Sequence, residues 1–262
     1  MTWRSIAVCA ALAALSLAAG PADQPGLWIE RSTASFWPSD AVAADARLVT
    51  HDVLGTGLDT QMQLVRVKQG AEVRTQIRVL RPEKAAGTVY EVYSSPRQPV
   101  ERVVYSPTFE RTRDVSGSRR HDSFLASEFS YEDLELTAPG ESQWVSSDRV
   151  LRGGRELVRV TSEPSSFYSR VEMLIDPKSG LPVSTTYFDN SGKPFKVETF
   201  DAVRDVNGHP LPTHIEMRDV QNGEKSDLYL TDVKLDAKVD PKVFDESPNQ
   251  ARRQAQARAQ TR

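Results

Sequence analysis

The chain has 262 residues, of which 36 are acidic, 33 basic, four histidine and one cysteine. A formal net charge of −3 offers no basic surplus for nucleic-acid phosphates, and one cysteine cannot build a disulfide framework. A chain of this length buries enough apolar surface to stand without such staples.

The first stretch, "MTWRSIAVCAALAALSLAAGPA", combines Arg4 with an apolar run from Ile6 to Ala19 and small residues after it. The run is too short to span a bilayer. It is read as a cleaved secretory signal over 1–22, which places the expected protein in the periplasm. Cys9 lies inside the run after Val8, a poor context for lipid modification, so the exported chain would hold no cysteine. Residues 23–38 are expected to be an N-terminal arm packed on the body through Trp28, Phe36 and Trp37, because large aromatics are mostly buried where they can be. The next stretch, "SDAVAADARLVTHDVL", reads as an amphipathic helix capped by Ser39, with Ala41, Ala44, Leu48 and Val49 on one face.

From Thr60 the period becomes two. "TQMQLVRVKQ", "EVRTQIRVL", "TVYEVYSS", "VERVVYS" and "FERTRDV" read as antiparallel strands. The pattern breaks at "FLASEFSYEDL" (124–134). Ser130 and Asp133 have capping-box spacing, Phe129 and Leu134 fall at the staple positions, and Glu132 and Asp133 lie where a helix dipole favours acids. A short capped helix is expected there, with the remaining carboxylates on an exposed turn. Strands resume as "QWVSSDRVLRG", "RELVRVTSE", "RVEMLIDP", "PVSTTYFD", "FKVETFDAVR", "LPTHIEMRD" and "SDLYLTDVKLD", joined by Asn-Gly and Ser-Gly pairs suited to tight hairpins. "DPKVFDES" can make one closing helical turn. The end, 249–262, has four arginines, no acid and no large apolar residue, a composition that predicts disorder. Removing Arg4 and those four arginines leaves 28 basic against 36 acidic residues, about −8 for 23–248.

About 11–12 strands with short connections and no βαβ alternation make a mainly β domain over 39–248. So many strands curl or close, and a barrel of more than eight strands has more interior than its own side chains easily fill. The two expected helices are the elements available to cover it. The economical architecture is a strongly curved antiparallel sheet with short helices as a lid.

Catalytic and metal signals are weak. His51, His121, His209 and His214 show no ligand spacing, and His209 and His214 are five apart in a strand-like stretch, on opposite faces. There is no nucleophile elbow, phosphate loop or dinucleotide fingerprint. Glu128, Glu132, Asp133 and Glu135 could in principle pair as acids across a cleft, but capping accounts for one and nothing in the spacing predicts a shifted pKa. No cofactor, no metal and no enzymatic activity are expected. The run 111–121 concentrates Arg111, Arg113, Arg119 and Arg120, either as a solvated hairpin or as an anchor for a lipid headgroup or an acidic partner.

"SPTFERTRDVSGSRRHDSFLASEFSYEDLEL" (106–136) resembles the segment that marks outer-membrane lipoprotein-sorting proteins of the LolA-like group. The residues that carry the resemblance are Pro107, Arg111, Arg113, Phe124, Ser127, Glu128, Phe129, Ser130, Tyr131, Glu132, Asp133 and Leu134. The resemblance implies a half-open antiparallel β-barrel covered by helices, with a hydrophobic cavity that shields acyl chains in transit. The expected function is a periplasmic lipid or lipoprotein carrier, a monomer working with an inner-membrane transporter or an outer-membrane receptor. The alternative is an envelope sensor or scaffold that binds a membrane partner through the same fold. Met62, Leu64, Val104, Phe109, Phe124, Phe129, Tyr131, Met173 and Leu230, large apolar residues on strands or lid, are the candidate cavity lining.

Overall fold

The computed structural model describes residues 24–245 apart from positions 53, 56, 97, 137–141, 166 and 241. The expected signal segment and the arginine-rich tail lie outside the described residues. Thirteen described strands form one antiparallel sheet that does not close. A first meander runs through β1 (Ala41–His51), β2 (Asp59–Gln69), β3 (Glu72–Arg81), β4 (Val89–Ser94), β5 (Glu101–Ser106) and β6 (Arg111–Asp114). A second runs through β7 (Trp144–Arg152), β8 (Arg155–Ser162), β9 (Arg170–Ile175), β10 (Pro182–Phe188), β11 (Pro194–Val206), β12 (His209–Asp219) and β13 (Lys225–Leu235). Pairing of β13 with β1 joins the two meanders, leaving β6 and β7 as the free edges of a half-open barrel.

All twelve stretches with period-two patterning are strands. The hairpin between β11 and β12 shows why the Asn-Gly pairs matter: Val206 and His209 face each other across Asn207 (φ 54°) and Gly208 (φ 84°), a turn that needs positive φ at both positions. The thirteenth strand, β1, overturns the helix expected at 39–54. Val42, Ala44, Ala46 and Leu48 are buried in alternation, and this stripe shares Ala44 and Leu48 with the helical reading. Pairing decides between the two: Ala46 sits opposite Met62 of β2 on one side and Leu230 of β13 on the other. A helix there would leave the backbone groups of both neighbours unpaired. Ser39 caps no helix. Its hydroxyl donates to Asp236 Oδ1 (2.7 Å) and accepts from the Asp236 N–H (2.8 Å).

The expected irregular arm is itself a helix, α1 (Pro25–Phe36), with Pro25 at the first position where a missing N–H costs nothing. Trp28, Ser32 and Phe36, spaced by four, are its buried face. The polar Ser32 in the middle of that stripe hides the periodicity. At the other end, α2 (Lys242–Asp245) is the expected closing turn, with Phe244 buried. Gln76 Nε2 donates to the Val243 carbonyl and to Glu91 Oε1, both at 2.8 Å.

The core lies on the concave face. Val42, Leu48, Met62, Leu64, Ile77, Val79, Tyr90, Val104, Ile215, Met217, Leu228 and Leu230 of the sheet pack with Phe36 and Trp37 near α1 and with Phe124, Phe129, Tyr131 and Leu134 of the connection between the two edges. A second cluster gathers Trp28 over Val158, Val160, Met173 and Ile175.

Candidate functional site

Topology fixes where the cover lies. The chain leaves the sheet at one edge, β6, and re-enters at the other, β7, so the intervening connection has to cross the open side of the barrel. The segment 115–136 begins as an extension of the sheet, with the Val115 N–H donating to the Arg102 carbonyl at 2.9 Å. It then makes a 3-10 turn at Gly117–His121 and a tight loop closed by Phe124 N–H to Phe129 carbonyl (2.9 Å). Leu125 (φ 49°) and Ala126 (φ 58°) at the loop tip hold left-handed conformations that cost non-glycine residues about 1 kcal/mol or more each.

The capping box forms as its spacing implies. The Ser130 N–H donates to Asp133 Oδ2 at 2.8 Å, and the Asp133 N–H donates to the Ser130 hydroxyl at 3.3 Å. It starts only a single 3-10 turn, Asp133–Glu135, because Leu136 reverses to φ 51°. The lid is therefore a coiled strap and not the short helix expected. Phe129 and Leu134 are nevertheless buried together, at 0% and 1% exposure.

Charge holds the strap to the sheet. Arg102, whose side chain is fully buried, lies opposite Val92 and so points into the concave face. Its Nε donates to Glu135 Oε1 at 2.5 Å, and its Nη2 is 3.7 Å from Glu132 Oε1. Arg120 Nε donates to Glu132 Oε2 at 3.3 Å, and His121 Nδ1 lies 3.6 Å from the same oxygen. The Tyr90 hydroxyl donates to the Tyr131 carbonyl (2.8 Å), and Arg113 Nη2 to the Tyr131 hydroxyl (3.1 Å). Glu132 and Glu135, expected on an exposed turn, are thus turned inward, while Glu128 is half-buried. Burial raises Glu132 to about 7, against the pull of Arg102 and Arg120. Burial, with Arg120 and Arg102 nearby, lowers His121 to about 4.

The opposite wall carries an acid. Glu198 of β11 sits across from Thr185 and Met217 on the concave face, with the Tyr187 hydroxyl 3.5 Å from its Oε2. Burial, and then the strap's Asp133, push its carboxyl well above the ordinary range. The strap is drawn toward β5 by opposite charge, and on β11 it is held by the Lys196 ammonium, which donates to the Glu128 carbonyl.

A cavity of about 210 Å³ opens at the mouth beside the strap, lined by Thr88, Val104, Ser106, Phe109, Leu125 and Tyr131 with Arg111 and Arg113 at its rim. Of the candidate lining residues, Val104, Phe109 and Tyr131 meet there. Met62, Leu64, Phe124, Phe129 and Leu230 are in the concave core. Met173 lies apart, under Trp28, and Phe109 is 66% exposed. Arg111, Arg113 and Arg119 are exposed, whereas Arg120 is turned inward to Glu132. Sequence reasoning missed Arg102 and Glu198. The available signal was an inward position: in "ERVVYS" Arg102 shares a face with Val104, where alternation calls for an apolar residue.

Among known proteins, a family model described as an uncharacterized protein matches residues 71–248. No curated protein matches the chain. Its structure is similar to that of a DUF1329 family protein from Desulfovibrio piger, at a TM-score of 0.74 and 19% identity over 85% of this chain and 97% of the other. It is also similar to one described as an outer membrane lipoprotein-sorting protein domain from Vibrio parahaemolyticus (TM-score 0.72, 16% identity, 85% and 97% covered). A LolA superfamily protein from Nitrosomonas europaea aligns at a TM-score of 0.65 and 18% identity over 84% and 96%. The fold is LolA-like.

Proposed function

This chain belongs to the family of uncharacterized proteins whose model covers residues 71–248, and from that premise and its LolA-like fold we propose that it is a periplasmic carrier that shields an acyl chain of a lipid or lipoprotein. The observation that carries the reading is the strap itself. Residues 115–136 cross the open side, and Phe124, Phe129, Tyr131 and Leu134 fill the hollow that Met62, Leu64, Val104 and Leu230 line from the sheet. When the strap swings out, cargo replaces its side chains; Phe109 stands at the mouth and Met173 lies deeper, under α1.

Magnitudes suit reversible loading. In water a buried methylene is worth about 0.8 kcal/mol, so eight supply roughly 6 kcal/mol. Breaking a buried ion-pair clasp costs roughly 3–5 kcal/mol, which such a chain offsets. A chain that leaves a bilayer for this hollow only exchanges one apolar surrounding for another. The cost of opening the clasp, which a transporter or receptor at either membrane can lower, then sets when loading and release occur.

A tether tests the reading. The Glu128 N–H donates to the Ser226 hydroxyl at 3.0 Å, strap to β13, so Glu128→Cys with Ser226→Cys would pin the strap shut when oxidised. The expected result is uptake of a fluorescent fatty acid by the reduced form and none by the oxidised form. Equal uptake by both, or no uptake by the wild type, would overturn the proposal.

A further inference from the structure

The mouth cavity does not end at its apolar wall. Arg111 and Arg113 also line a second, outer groove of about 560 Å³ with Thr112, Asp114 and Arg119. The two spaces share those guanidinium groups as a common wall. Register explains the sharing: Arg113 pairs across from Val104 and Arg111 from Ser106, so both arginines project from the concave face of the edge strand β6. The groove therefore sits where the apolar interior meets solvent.

Its charge is at odds with the rest of the chain. Three guanidinium groups face one carboxylate, that of Asp114, whose Oδ1 accepts the Ser116 N–H at 2.8 Å. Among the described residues no carboxylate lies within ion-pair distance of Arg111, Arg113 or Arg119. Arg113 spends one donor on the Tyr131 hydroxyl, Arg119 donates to the Asp114 carbonyl at 3.3 Å, and Arg111 lies over the exposed Phe109 ring at 5.4 Å. All three side chains are exposed, in a protein whose net charge is −3. Planar forks of this kind match a phosphate in two-point fashion.

We propose that the arginine groove at the β6 edge binds the anionic phosphate headgroup of a lipid whose acyl chain enters the adjoining cavity between Val104, Leu125 and Tyr131. The proposal rests on the carrier reading and adds the chemical class of the cargo. The headgroup would also touch the strap, because Arg113 holds Tyr131. Seating a phosphate on Arg113 competes with that bond, so arrival of the headgroup loosens one of the contacts that keep the strap closed.

Titration calorimetry with short-chain lipids below their micelle concentration separates the outcomes. Dihexanoyl-phosphatidylglycerol is compared with dihexanoyl-phosphatidylcholine and with inorganic phosphate on the wild type, on Arg111→Gln/Arg113→Gln, and on the charge-matched control Arg149→Gln/Arg152→Gln at the other edge strand, β7, where both arginines are exposed. The wild type and the control should bind the anionic lipid about tenfold more tightly than the zwitterionic one, with the difference shrinking as salt rises. The Arg111/Arg113 variant should bind both lipids alike, at the zwitterionic level, and inorganic phosphate should bind more weakly than the anionic lipid. Equal affinity of the wild type for both lipids, or phosphate binding as tight as the anionic lipid, would overturn the headgroup site while leaving the carrier standing. Binding of neither lipid by the wild type would overturn the carrier reading as well.

Discussion

Two covers lie over the same hollow and are held in unlike ways. α1 is seated by ring burial: Trp28 over the second cluster, and Phe36 edge-on to Phe200 (5.9 Å) and to Trp37 (4.9 Å). Among the described residues its polar ties are two α1 side chains that donate to the turn after β9, Arg31 to the Lys178 carbonyl and Ser35 to the Ser179 carbonyl, both at 3.0 Å. The strap at 115–136 buries aromatics too, but it is fastened to the sheet by Arg102 of β5, which pairs with Glu132 and Glu135, while Arg120 braces Glu132 from within the strap. Apolar contact carries no titratable proton, whereas a buried ion pair depends on which protons are present. The strap is accordingly the cover whose hold depends on protonation, and α1 the one whose hold does not.

Substitution can break that contrast. The largest effect expected is from Arg102→Ala, which leaves Glu132 and Glu135 buried without their shared cation and should cost about 3–5 kcal/mol in urea unfolding. A loss under about 1 kcal/mol would mean that the clasp does not hold the strap. Next, Trp28→Ala should cost about 3 kcal/mol through the cavity it leaves, equally at pH 5 and pH 8, and a marked pH dependence would erase the distinction between the covers.

The third way to sharpen the contrast is titration. Folded Glu132 keeps its proton up to about 7 and the unfolded one loses it near 4.5, so this group lowers stability as pH rises between those values. Folded His121 is neutral down to about 4, whereas the unfolded ring binds a proton below 6.5. That group raises stability over the same rise in pH. The two nearly offset each other between about 4.5 and 6.5. Glu132→Gln removes the first and leaves the second, so the variant's urea midpoint should climb with pH across that window while that of the wild type stays level. The climb is on the order of 1–2 kcal/mol after allowance for the partial exposure of His121. The smallest effect concerns α1. At Gly180 (φ 78°) a Cβ would come within 2.4 Å of Ser35 Oγ and 3.1 Å of Arg31; because the nearest atom is a hydroxyl that can turn away, Gly180→Ala should cost about 1 kcal/mol, seen as faster proteolysis within 25–36 at unchanged strap protection.

The same contrast describes what the sequence made legible. Strands with clean alternation and the Ser130–Asp133 box could be read directly, because their signals are local. β1 could not: its alanines satisfy both a helical face and an alternating one, and only the pairing with β2 and β13 chooses. α1 was hidden by Ser32 in its buried stripe. The strap's acids looked exposed because their partner, Arg102, is some thirty residues away on a strand, and no local pattern announces a charge that burial will enclose.

Amide hydrogen exchange across the strap, with and without bound palmitate, tests the carrier account most directly. The account predicts that lipid speeds exchange at Phe124–Leu136, notably at the Phe124 and Ser130 amides that bond within the strap, while the amides of β1, β2 and β13 keep their protection. Uniform added protection over strap and sheet alike, with no amide released, would contradict it.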